Sequence, residues 1–60
     1  MTEPPLTLDQ LAARLQVSVR TVRRLVAAGQ IRVMYVGRSP RVTVREVEAY
    51  ENAAYRKGLR

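Results

Sequence analysis

Apolar side chains recur at helical spacing in the first half of the chain. Leu8, Leu11, Ala12 and Leu15 fall on one face of a helix that opens just after Leu6. Thr7 is placed to cap it, Gln10 stands at the reciprocal position of a capping box, and Leu6 and Leu11 are spaced as a hydrophobic staple. Gln16-Val17 breaks the period. Ser18 is a second N-cap, and from Val19 the apolar positions Val22, Leu25 and Val26 resume helical spacing. Gly29 ends this second helix, as the residue best suited to a left-handed C′ position.

Beyond Gly29 the pattern changes. Ile31–Val36 is dense in β-branched and aromatic residues, Gly37-Arg38-Ser39-Pro40 reads as a turn, and Arg41–Thr43 returns as a partner strand. Alternation puts Ile31, Val33 and Tyr35 on one face and Met34 and Val36 on the other. Thr43 and Glu46 form a second capping-box pair, opening a third helix with Val47, Tyr50 and Ala54 inward. It is expected to stop at Gly58, with residues 58–60 frayed. The lead Met1–Pro5 is expected to be flexible, because Pro4-Pro5 cannot start regular structure. The predicted fold is mainly α with a small β-hairpin, a single domain over residues 1–60.

At 60 residues there is room for one small core. A domain of this size buries about 60% of the surface its unfolded chain exposes, and its stability is expected near ~3–5 kcal/mol. Charge adds more than length does. Eleven Lys and Arg face five Asp and Glu, a net charge of +6, and ten of the cations are arginine. Eight arginines lie between Arg14 and Arg45 with no acid among them. A one-signed field of this kind attracts polyanions, and arginine suits forked contacts to phosphate and guanine.

The absences narrow the chemistry. There is no cysteine and no histidine, so disulfides, thiolate metal sites and the usual general base are excluded. No cofactor or metal is expected, and nothing pairs a nucleophile with a base, so the chain is not expected to be an enzyme. No apolar run approaches the roughly 18 residues of a membrane span, and the start has no signal-peptide pattern. The expected setting is the cytoplasm, on DNA and away from membranes.

Two short helices joined by a tight turn, the second rich in arginine, suit the reading of a major groove. Ala12 supplies the small residue where such helices cross. Leu11, Leu15, Val17, Val22 and Leu25 supply the apolar positions. One position departs: Gln16 stands where glycine is common, because the backbone there tends toward positive φ.

With these residues in place, Leu6–Tyr50 resembles the excisionase-type, MerR-like winged helix-turn-helix module. The resemblance is carried by Leu6-Thr7-Leu8-Asp9-Gln10-Leu11-Ala12, Val17-Ser18-Val19-Arg20-Thr21-Val22-Arg23-Arg24-Leu25, Gly29-Gln30-Ile31, Arg41-Val42 and Val47-Glu48-Ala49-Tyr50. It implies a helix-turn-helix, a two-stranded wing and a closing helix. It also implies a small protein that binds and bends double-stranded DNA beside an integrase and directs recombination toward excision. A small transcription regulator with the same reading head is the alternative. A module that binds an integrase or toxin is a third reading, from another class.

The candidate site residues follow. Ser18, Arg20, Thr21, Arg23 and Arg24 belong to the expected recognition helix, with the three arginines opposite Val22, Leu25 and Val26. Arg38 at the hairpin tip is the wing residue for a minor groove. Arg14, Arg32 and Arg41 are expected on phosphates. The late acids Glu46, Glu48 and Glu51, with Met34 and Val36 on the hairpin, are candidates for contacts between copies. They suggest head-to-tail, cooperative association along DNA.

Overall fold

The computed structural model describes residues 3–58, and the side chains of residues 3–55. Glu3–Pro5 carries no regular structure, whereas Met1, Thr2, Leu59 and Arg60, on which part of the lead and the frayed end were expected, lie outside the described residues. The first helix, α1, spans Leu8–Leu15 and begins as the sequence dictates. Thr7 Oγ1 accepts from the Gln10 N–H at 3.0 Å, and Gln10 Oε1 accepts from the Thr7 N–H at 2.9 Å. Both halves of the capping box therefore satisfy N–H groups with no intrahelical partner.

The end of α1 explains the turn. Gln16 takes a left-handed conformation, φ 58° and ψ 45°. Its N–H donates to the Ala13 carbonyl at 3.2 Å, and the Val17 N–H donates to the Ala12 carbonyl at 3.0 Å. This crossed pair is a Schellman motif with glutamine where glycine is usual. The second helix, α2, spans Val19–Ala27, with Ser18 Oγ accepting from the Thr21 N–H at 3.1 Å. It closes with the same motif, from Gly29 to the Val26 carbonyl at 3.0 Å and from Gln30 to the Leu25 carbonyl at 2.9 Å. There the left-handed residue is Gly29, φ +78°.

The sheet is larger than the sequence suggests. Three antiparallel strands, β1 (Leu6–Thr7), β2 (Met34–Val36) and β3 (Ser39–Val42), lie in the order β1-β3-β2. Leu6 and Thr7 pair with Val42 and Arg41, so the residues read as staple and cap also close the sheet. Only tertiary folding brings their partners near.

The hairpin is also tighter than expected. Val36 pairs with Ser39, leaving only Gly37-Arg38 in the turn. Gly37 at φ +65° and Arg38 outside the positive-φ region carry the φ signs of a type II′ turn, whose twist suits a hairpin. Ser39 and Pro40, expected in the turn, belong to β3, and β2 begins at Met34 rather than Ile31. Pro40 is tolerated because it faces Tyr35 in a two-residue hairpin's non-bonded position, and β1 ends before reaching its other edge.

The third helix, α3, spans Val44–Gly58. Thr43 Oγ1 accepts from the Glu46 N–H at 3.2 Å, which is the forward half of the expected box. The Glu46 carboxylate lies 3.7 Å from Arg32 Nε. Leu11, Ala12, Val22, Ile31, Val42 and Val47 form the buried core, with Leu6, Leu8, Leu15, Val19, Leu25, Val26, Val33 and Tyr50 packed against it. Each fully buried aliphatic side chain contributes about 1.5–3 kcal/mol. Tyr35, expected in a set with Ile31 and Val33, is 66% exposed and takes no part in the core. Its strand runs past the edge of the body, where no element covers that face.

Candidate nucleic-acid interface

Helical spacing places Arg20, Arg23 and Arg24 on one face of α2, with the fully buried Val22 opposite. All three are exposed, and neither of the two ion pairs among the described residues involves them. The first turn of α2 carries no acid. The same periodicity that buries Val22 therefore presents a row of charged forks to solvent, and the α1–α2 packing sets which way that face of the helix points.

Ser18 and Thr21 sit at the start of this helix. Their hydroxyl oxygens are 3.1 Å apart, in addition to the capping bond. One hydroxyl hydrogen closes that contact, so the other remains available to a phosphate or base edge.

The other arginines divide by environment. Arg38 occupies the exposed hairpin tip, held out by the two-residue turn. Arg41 is half-buried and donates from Nη1 to the Pro40 carbonyl at 3.1 Å. Arg32 meets Glu46 only loosely, with its side chain 85% exposed. Arg14 has a partner inside the chain, where sequence reasoning expected a phosphate. Its Nε and Nη2 each donate to Glu51 at 3.0 Å. The hydrogen bond to Glu51 holds the Arg14 guanidinium above its ordinary pKa, with lesser help from the charges of Glu51 and Glu48.

Two of the late acids are thus engaged within the fold. Glu48 remains exposed, as do Met34 and Val36. Arg45 was not singled out from the sequence, yet it stands exposed at the start of α3. Its signal was its place at the end of the acid-free stretch. Near it, an open groove of ≈ 880 Å³ is lined by Glu3, Arg32, Met34, Arg45 and Glu46 among others. Charges of both signs share that groove, so it is no dedicated anion cradle. Among the described residues, no group of three or more acidic, histidine or cysteine side chains could hold a metal ion. No helix there is long and apolar enough to cross a membrane.

A capped helix pair with a tight turn, an arginine face on the second helix and a wing tipped by arginine define a winged helix-turn-helix domain of the DNA-binding class. Residues 5–55 match the helix-turn-helix domain family, and the chain belongs to it. No curated protein and no solved structure matches the chain.

Proposed function

We propose that this protein is an excisionase, a small accessory factor that binds and bends DNA and directs integrase-mediated recombination toward excision. The observation that carries the reading is the row of Arg20, Arg23 and Arg24, exposed and outside the ion pairs, beside a wing tipped by Arg38. In this reading the α2 arginines enter a major groove, with Ser18 and Thr21 at its margin, and Arg38 reaches the flanking minor groove. In the same reading Arg41, on β3 of the wing, and Arg32 and Arg45, which line one groove with Met34, add phosphate contacts. Arg14 serves the fold first, through Glu51.

One recognition helix covers few base pairs, so specificity calls for several copies. Head-to-tail association on direct repeats meets that need, with Met34, Val36 and Glu48 as the exposed residues available to it. The setting is the bacterial cytoplasm, on phage attachment-site DNA, with a recombinase as partner and no catalytic role for this chain.

The test combines footprinting with titration. Protection of attachment-site DNA, extended by added integrase, together with cooperative occupancy of tandem sites by a monomeric protein, is the expected result. A stable two-fold dimer on a palindrome, indifferent to integrase, would assign the same reading head to a transcription regulator.

A further inference from the structure

Strand alternation sorts the exposed hairpin residues into two faces. Val42 is fully buried and Val33 packs on the core that Leu11, Ala12 and Val22 help to form, so their face of the sheet is the one turned toward the helices, with α1 packed on it. Tyr35 and Pro40 share that face, two residues further out, and pair directly with one another. Met34, Val36, Ser39 and Arg41 face the opposite way. The helix-side face of the hairpin shaft thus carries one large exposed side chain, Tyr35, between the body and the Arg38 tip.

A duplex held at once by α2 and by the wing tip must pass that shaft. From these placements we infer that Tyr35 is a further DNA-contacting residue, its hydroxyl donating to a backbone phosphate between the two grooves. The inference rests on the DNA-binding reading of the chain and deepens it. Tyrosine fits the position for two reasons. It loses little side-chain entropy on being fixed, and a phenol can donate to a phosphate oxygen without carrying a charge. Its exposure at 66% in the free protein is then the exposure of a contact surface, while Met34 and Val36 remain for protein neighbours.

The test uses the full chain and a 20-base-pair duplex recovered by in vitro selection, with each phosphate replaced in turn by a neutral methylphosphonate. Tyr35→Phe is expected to weaken binding about tenfold, as for loss of a hydrogen bond to a charged group. Its salt slope should stay as in the unaltered protein, because no charge is removed. One phosphate should stand out: its neutralisation weakens the unaltered protein but adds nothing in Tyr35→Phe. Tyr35→Ala should weaken binding at least as much, while Met34→Ala and Val36→Ala leave single-site binding unchanged.

Unchanged single-site affinity in Tyr35→Phe, with every phosphate responding alike, overturns the proposal. So does a Tyr35→Ala variant that loses only cooperativity on tandem sites, which would turn the residue toward a second protein. Absence of DNA binding by the unaltered protein is a distinct result, and it removes the functional reading as well.

Discussion

Arg14 near the end of α1 grips Glu51 in the middle of α3 with two parallel 3.0 Å contacts, across 37 residues of sequence. The forked geometry fixes the last helix against the first and takes one arginine out of the basic field. Its hydrogen bond to Glu51 raises the arginine pKa. A raised pKa gives stability that is complete below the unfolded value and lost only as pH rises through the folded one. For arginine that window is strongly alkaline. Arg14→Gln and Glu51→Gln should each lower Tm, the double variant should lose little more than either, and added salt should shrink the difference. Thermal unfolding in a double-mutant cycle reads this out. Additive losses would show that the two side chains act independently.

Gln16 is the one non-glycine residue with positive φ among those described. A left-handed residue with a Cβ costs roughly 1–2 kcal/mol, and glycine recovers part of this while adding unfolded-state entropy. Gln16→Gly should therefore stabilise the protein by about 0.5–1 kcal/mol in urea unfolding, without altering DNA affinity. Destabilisation would mean that the glutamine side chain supports the turn in another way.

The α2 face makes a quantitative claim about DNA. With four to six phosphates neutralised, log K should fall against log salt with a slope of about −4 to −5. Arg23→Ala or Arg24→Ala should cost about 1–3 kcal/mol and relax specificity at one base pair. Titration against a panel of single-base variants measures both. A uniform loss on every sequence would place α2 on the backbone alone.

Arg38 should act through groove shape. Arg38→Ala is expected to weaken binding most on sites flanked by a narrow, A·T-rich minor groove and to retract the footprint on that side. Gly37→Ala offers a separate control: a Cβ there meets nothing within 4 Å, so its cost is backbone strain at φ +65° alone. Equal affinity of Arg38→Ala on all flanks would make the hairpin a structural element only.

Much of this molecule was written locally in its sequence. The Thr7–Gln10 box, the Ser18 cap, the left-handed Gln16 and Gly29 and the inward Val22 and Val47 follow from side-chain reach and helical period. These act over five residues or fewer, so neighbours along the chain decide them. The α2 arginine face was legible for the same reason. What the chain alone did not decide depends on distant partners. Leu6-Thr7 becomes a strand only because Val42 and Arg41 arrive beside it, and that pairing in turn leaves Pro40 an edge where its missing N–H costs nothing. Arg14 could have met a phosphate, but α3 brings Glu51 within 3.0 Å. Tyr35 obeys the alternation that packs Val33 against the core, yet it stays exposed because the body ends before its position is reached. Period fixes which way a side chain points, and tertiary packing decides whether anything is there to meet it.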